Sequence, residues 1–234
     1  MNKIQGLFIA LICTTITIVN TNVSSANNIG IVNLSGVTSA YCYIYNTSGD
    51  YISKQYVNSN FELPVASYVF SVNGTVKKVN VKAGKNKFPL GNMNLSAVTN
   101  AYCYVYSSSD TSCDYLSRHY SSNLFDLFPG TYTFAVNGTI KEVKVEAGKN
   151  EFPLGNINLS AVTNAYCYVY SSSDTSDDYL SRHYSSNLFD LFPGTYTFAV
   201  NGTTKEVNVE AGKKGISIRK HKLVSCDKCL LLCL

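Results

Sequence analysis

Thr131-Tyr132-Thr133-Phe134-Ala135-Val136-Asn137-Gly138-Thr139-Ile140-Lys141-Glu142-Val143-Lys144-Val145 decides the fold. Thr131 to Val136 and Ile140 to Val145 each alternate in character, the period-2 pattern of half-buried strands. An Asn-Gly pair between two such runs marks a hairpin, because both residues tolerate the positive φ of a two-residue turn. The stretch returns as Thr195 to Val209, with Thr204 for Ile140 and Asn208 for Lys144. A shorter echo, Val72-Asn73-Gly74-Thr75, precedes both.

Working outward, Gly91 to Gly148 and Gly155 to Gly212 align without gaps at an offset of 64 residues. They differ only at Met93/Ile157, Cys113/Asp177, Ile140/Thr204 and Lys144/Asn208. A more diverged copy runs from about Ile29 to Leu90, where Leu34 to Tyr43 matches Leu95 to Tyr104. Self-similarity at a fixed period is the signature of a repeat architecture. The expected organisation is residues 1–26 as a signal peptide, repeats at 27–90, 91–154 and 155–213, and an aberrant tail at 214–234.

Within the second copy, Ala101 to Tyr106 alternates small or aliphatic residues with Tyr and reads as a strand. A polar loop, Ser107 to Asp114, follows, and Tyr115 to Tyr120 reads as a short strand. Phe125 to Phe128 leads into Pro129-Gly130, a turn pair in which Pro fixes φ and Gly permits positive φ. Glu146-Ala147-Gly148-Lys149 reads as another turn, and Phe152 to Leu159 as an extended run into the next copy. Five to seven strands in about 60 residues predict a small all-β sandwich or meander for each repeat.

The pattern Phe125-x-Leu127-x-Pro129-Gly130-x-Tyr132-x-Phe134-x-Val136-x-Gly138, followed by Val143-x-Val145-x-Ala147-Gly148, resembles the transthyretin-like, carboxypeptidase-regulatory-like β-sandwich modules of secreted proteins. The resemblance covers about half of each repeat. It implies an all-β chain of three tandem transthyretin/Ig-like domains after a signal peptide, serving as stalk, spacer or adhesion modules. The first copy carries Leu63-Pro64-Val65-Ala66 where the others have the Pro-Gly pair, so uniform turn chemistry is not expected.

The amino terminus has a secretory pattern: Lys3, an apolar run from Leu7 to Val19, and small residues in Ser24-Ser25-Ala26. The run is shorter than the roughly 20 residues needed to span a bilayer, so no stable membrane span is expected. Ile12 before Cys13 is too large for a lipoprotein cleavage box.

The tail breaks the pattern after Gly212-Lys213. Cys226-x-x-Cys229, with Cys233 and His221, suggests a zinc or redox motif at first sight. Back-translation with suitable codons and a one-base shift turns the stretch from Ile216 into Phe-Pro-Leu-Gly-Asn-Ile-Asn-Leu-Ser-Ala-Val-Thr-Asn-Ala-Tyr-Cys-Tyr-Val, the opening of another repeat. The expected origin of the tail is therefore a frame shift in A-rich codons, with the Cys/His cluster an accidental readout and not a metal site.

Of 19 basic residues, Lys3, Lys214, Arg219, Lys220, Lys222 and Lys228 lie in the signal or tail, leaving 13; of 15 acids only Asp227 does, leaving 14. The repeat body is thus near −1, not +4, and carries no basic footprint for nucleic acid.

Candidate chemistry is sparse. Tyr102, Tyr104 and Tyr106, like Tyr166, Tyr168 and Tyr170, line one strand face and form candidate binding stripes, since Tyr offers rigid amphipathic contact area. Packing between sheets or neighbouring repeats is the competing reading of those rings. Cys42, Cys103 and Cys167 recur on the opposite face and read as small core residues, the competing reading being inter-domain or inter-chain disulfides. A Cys103–Cys113 disulfide within the second copy is open to an exported protein. His119 and His183 read as part of a solvated strand face. The loop Asp174-Thr175-Ser176-Asp177-Asp178 supplies only a few of the about six to eight oxygens that calcium takes. Asn-x-Ser/Thr sequons recur at Asn33, Asn46, Asn73, Asn94, Asn137, Asn158 and Asn201, and Asn-Gly-Thr is equally hairpin chemistry.

No catalytic constellation, metal site or cofactor motif is expected. The functional expectation is a non-enzymatic secreted or cell-surface repeat protein with a spacer and weak multivalent adhesion role. Its glycan or protein ligand is unknown, and homo-oligomerisation stays open. The alternatives are a carbohydrate-binding array using the Tyr stripes, or the non-catalytic part of a larger secreted enzyme.

Overall fold

Alternation becomes strands throughout the computed structural model, which describes residues 28–212 except 100, 108–110, 112–113, 160–163, 172–174, 176–177 and 185–187, plus the backbone of 216–219, 224–226 and 229–233. The expected signal peptide and Cys113 lie outside the described residues, as do the side chains of the tail. The chain is all-β, and no helix occurs among the described residues. None is therefore long and apolar enough to cross a membrane.

The first copy contains β1 (Ile29–Asn33), β2 (Tyr41–Tyr45), β3 (Tyr51–Tyr56), β4 (Phe61–Pro64), β5 (Ala66–Val72), β6 (Thr75–Val81) and β7 (Gly84–Lys87). The second contains β8 (Gly91–Asn94), β9 (Tyr102–Tyr106), β10 (Ser117–Tyr120), β11 (Phe125–Leu127), β12 (Gly130–Val136), β13 (Thr139–Val145) and β14 (Gly148–Glu151). Each forms an antiparallel four-stranded sheet, β3-β2-β5-β6 or β10-β9-β12-β13, and a three-stranded sheet, β4-β1-β7 or β11-β8-β14. In the smaller sheet the first strand of the copy is antiparallel to one neighbour and parallel to the last strand. The two sheets bury their apolar faces against each other as a β-sandwich. In the first copy Val32 and Leu63 of the small sheet meet Cys42, Ile44, Phe70 and Val79 of the large one.

The third copy repeats this with β15 (Gly155–Asn158), β16 (Tyr166–Tyr170), β17 (Ser181–Tyr184), β18 (Leu188–Leu191), β19 (Gly194–Val200) and β20 (Thr203–Val209). Its small sheet is completed by tail strands β21 (Ile216–Arg219), β22 (Val224–Cys226) and β23 (Cys229–Cys233), in the order β18-β15-β21-β23-β22. The register differs. Met93 pairs with Asn150 in the second copy, but its counterpart Ile157 pairs with Ile216, two residues later than the equivalent Lys214. Asn150 explains why. Its side chain accepts from Glu146 N–H at 2.9 Å and donates to Glu146 O at 2.7 Å and Gly148 O at 2.8 Å, closing the turn tightly. Lys214 cannot make that set of bonds.

Two turns differ from expectation. The turn at Glu146 is over sooner, with Gly148 at φ +87° already opening β14, because Asn150 cinches it. Gly130 does not use positive φ. Its lack of a side chain instead makes room for Tyr132, whose hydroxyl would lie 2.9 Å from an added Cβ and donates to Phe128 O at 2.8 Å. Tyr68 makes the same bond to Pro64 O at 2.9 Å, so the corner is uniform although the first copy lacks Pro-Gly.

The Asn-Gly hairpins form as read. Asn73, Asn137 and Asn201 have φ of 47°, 47° and 50°, and the following glycines 75°, 76° and 77°. Two successive positive φ values define the type I′ turn, whose twist matches its strands. An added Cβ at Gly138 would lie 1.9 Å from Leu180 O, whereas one at Gly202 meets nothing within 4 Å. Gly202→Ala is expected to cost about 1 kcal/mol through φ alone. Gly138→Ala is expected to cost about 2–4 kcal/mol, because overpacking adds to the same φ penalty. Urea unfolding of the two variants measures the difference, and equal losses would remove the contact from the explanation.

Candidate functional site

The most heavily bonded polar group among the described residues lies where one repeat meets the next. Asp126 follows Phe125 on β11 and is 0% exposed. Its carboxylate accepts from the backbone N–H of Thr38 at 2.9 Å and of Val37 at 3.2 Å, and from the Thr38 hydroxyl at 2.6 Å, all in the first copy. Asn92 of its own copy donates to it at 2.6 Å. The Asp126 carbonyl accepts from Asn73 Nδ2 at 2.9 Å, and Phe128 N–H donates to Thr75 Oγ1 at 3.0 Å. Phe128 itself is 1% exposed and belongs to the apolar core of the first copy. Burial of a carboxylate is tolerable only where such donors replace water.

The joint recurs one period later. Asp190 accepts from Val98 N–H at 3.3 Å, Thr99 N–H at 2.8 Å and the Thr99 hydroxyl. Asn137 Nδ2 donates to Asp190 O at 2.9 Å, Phe192 N–H donates to Thr139 Oγ1 at 3.1 Å, and Phe192 lies in the second core. Reading the sequence missed this site, because Asp126 and Asp190 look like loop acids. The available signal was an Asp in Phe-Asp-Leu-Phe, flanked on both sides by large apolar residues in a strand-like run.

The Tyr stripes are outward-facing and form ledges on the four-stranded sheets. In the second copy Tyr102 stacks on Tyr120 of β10 at 5.0 Å and 22°, and Tyr104 meets Tyr115 edge-on at 5.2 Å. The Arg118 guanidinium sits 4.3 Å from the centre of the Tyr102 ring. In the third copy Tyr166 meets Tyr184 at 5.1 Å, Tyr168 meets Tyr179 at 5.3 Å, and Arg182 covers Tyr166 at 4.7 Å. The first copy keeps the pattern with Tyr41, Tyr56 and Lys54. Tyr106 and Tyr170, at the far ends of their strands, are half-buried. Tyr115, Tyr120, Tyr179 and Tyr184, supplied by the next strand or the loop before it, complete ledges that the sequence assigned to one strand. In the third copy Tyr166, Tyr168 and Tyr170 line an open groove of about 500 Å³ that reaches Asn201 and Gly202. Such a ledge offers ring faces, phenol hydroxyls and one cation per repeat.

Opposite the ledge, Cys42, Cys103 and Cys167 are free thiols with 0% exposure, and burial pushes each up to about 12. Thiolate chemistry is suppressed at such positions. Cys113, the expected partner of Cys103, lies outside the described residues.

The histidines correct the sequence reading. His119 and His183 are half-buried, lying flat on Phe125 and Phe189 at 4.3 and 3.6 Å and within 3° of parallel. Each Nε2 is 3.0 Å from a serine hydroxyl, Ser117 or Ser181. The strand exposes Arg118 and Tyr120 on one face and turns His119 toward the core edge, so only half of Ser-Arg-His-Tyr is solvated. Burial lowers both imidazoles to about 4. Among the described residues, no group of three or more His, Cys, Asp or Glu could hold a metal ion. Most of the acidic loop around Asp174 and the tail Cys/His side chains lie outside those residues.

No family model matches the chain, and no curated protein matches it. Among solved structures it is similar to the Bacillus anthracis TIE protein at 14% identity, over 82% of this chain and 50% of that one, with a TM-score of 0.22. It is also similar to BcpA, the major pilin subunit of Bacillus cereus, at 10% identity over 82% and 97% of the two chains, again with a TM-score of 0.22. The chain spans half the length of the TIE protein. Likeness of this degree leaves the fold to be read from the chain's own strands.

Asp190→Ala strands buried N–H and O–H donors and is expected to cost about 2–4 kcal/mol in urea unfolding, against under about 0.5 kcal/mol for the exposed control Asp114→Ala. Equal losses would remove the joint from the account. The histidines impose a pH dependence. Their folded values of about 4 lie below the ordinary 6.5, so protons favour the unfolded chain. Their contribution is complete above pH 6.5 and is lost as pH falls through 4, by about 2–3 kcal/mol per ring. Stability profiles of the chain and of a His119→Phe/His183→Phe variant test this. The variant's profile should be flatter between pH 6.5 and 4, and an unchanged slope would assign the acid loss elsewhere.

Proposed function

We propose that this is a secreted or cell-surface, non-enzymatic tandem-repeat protein, in which interlocked β-sandwiches act as a spacer and each repeat presents the same weak binding ledge. The repeated joint carries this reading. Asp126 with Phe128, and Asp190 with Phe192, tie each repeat to its predecessor through both a buried polar network and a shared core. A loose linker would need neither. Joints of this kind hold successive ledges at a constant separation, and equal weak sites at fixed spacing raise avidity on a repeating surface without any new contact. The secretory pattern in residues 1–26 and the resemblance to transthyretin-like modules belong to the same proposal.

A second reading, an array of carbohydrate-binding modules, is favoured by the ledges themselves. Tyr102, Tyr115 and Tyr120 are 39%, 46% and 45% exposed, enough ring surface to stack on a sugar face while the hydroxyls bond its edge. Retention of the full chain on immobilised polysaccharides and on extracellular-matrix protein separates the two readings. Tyr104→Ala/Tyr168→Ala is expected to weaken retention on the true surface by at least about tenfold, since two of three linked sites are damaged. Polysaccharide retention lost in this variant favours the carbohydrate array; retention unchanged on every surface would remove the ledges from the function.

A further inference from the structure

Each joint has an inserting segment, the donor, and a receiving segment, the acceptor, whichever way its hydrogen bonds run. Donors are Asp126-Leu127-Phe128 in the second copy and Asp190-Leu191-Phe192 in the third. Acceptors are the loop reaching Thr38 or Thr99 together with the hairpin Asn73-Gly74-Thr75 or Asn137-Gly138-Thr139. The first copy has no donor: Glu62 and Pro64 stand at the places of Asp126 and Phe128, and both are exposed. Of these two parts the third copy repeats the hairpin, as Asn201-Gly202-Thr203 with the same backbone conformation, and the counterpart of the loop lies outside the described residues. There, however, it is bare. Thr75 and Thr139 are 2% and 1% exposed, while Asn201, Gly202 and Thr203 are all exposed. The Leu116 and Leu180 carbonyls crowd Gly74 and Gly138, whereas among the described residues nothing lies within 4 Å of a Cβ added at Gly202. The open groove of about 500 Å³ runs into this hairpin.

We infer that the Asn201-Gly202-Thr203 hairpin of the third copy is an acceptor socket for one class of partner, a further repeat of this kind carrying the Asp-x-Phe donor. Two existing interfaces with the same residues at the same spacing define what fits. A second copy of this chain is not the occupant, because both its donors are engaged internally and its first repeat has none. The array is therefore polar, capped at its first repeat and able to accept a new repeat only at the other end. This holds whether or not the Tyr ledges bind a ligand, so it fails independently of the proposed function.

Giving the first repeat a donor tests the inference in the full chain. Sedimentation velocity should show the unaltered chain as a monomer at all concentrations. Glu62→Asp/Pro64→Phe should produce concentration-dependent head-to-tail oligomers, since a heterologous contact does not close. Adding Asn201→Ala/Thr203→Val should return that variant to monomer. Oligomers of the unaltered chain, a folded donor variant that stays monomeric, or oligomers that survive the socket changes would each overturn the inference. A second measurement avoids the altered first repeat: a chain lengthened by a fourth repeat copied from residues 149–212 should need more urea to unfold its third repeat than the same chain with Ala at the added Asp and Phe. Equal midpoints would overturn it too.

Discussion

A carboxylate without a countercharge can sit in a protein interior only if the surrounding dipoles do what water did. At Asp126 that work is divided between two repeats: Asn92 comes from its own copy, and the Thr38 hydroxyl and the N–H groups of Val37 and Thr38 come from the copy before. Neither repeat can satisfy the group alone. Separating them leaves both a stranded acid and an uncovered Phe128, so polar and apolar terms reinforce each other. In the first two copies the Asn-Gly hairpin serves the same joint, its Asn side chain donating to the carbonyl of the buried Asp while its Gly lets the next repeat's backbone pass. The hairpin is at once a turn and half of an interface.

The all-β class, the repeat period and the hairpins were legible in the sequence, because alternation and Asn-Gly chemistry are local signals. So was the division of the YCYVY strands into a cysteine face and a tyrosine face, although the sequence left open whether the Tyr rings pack against another sheet or repeat or face outward. What could not be read was long-range. Asp126 is polar in sequence and buried in space, since its donors lie about ninety positions upstream. His119 follows Arg118 in a polar run, yet the pleat carries it to Phe125 on the opposing sheet. Gly130 was recognised as a turn residue for the wrong reason, the relevant neighbour being the Tyr132 ring and not its own φ.

The ledges show the same limit from the other side. The sequence identified Tyr102 and Tyr104 as a stripe, but a stripe on one strand is only a row of rings. Antiparallel pairing with β10 sets Tyr120 opposite Tyr102 and Arg118 opposite Tyr104, which turns the row into a two-dimensional surface with a cation over it. Lys54 replaces Arg118 in the first copy and keeps the charge but not the planar, stackable guanidinium. The first ledge therefore differs from the other two in its cation.

The parallel pairing of first and last strands has a mechanical meaning. In each of the first two copies the strand that enters the repeat, β1 or β8, lies beside the strand that leaves it, β7 or β14, over four residue pairs. Tension along the chain pulls these neighbours in opposite directions parallel to their axes. The hydrogen bonds between them are then loaded in shear and must yield together, rather than one after another as in a peeled hairpin. The two-sheet architecture thus sets a shear-loaded pairing across the line along which a tethered chain would be pulled.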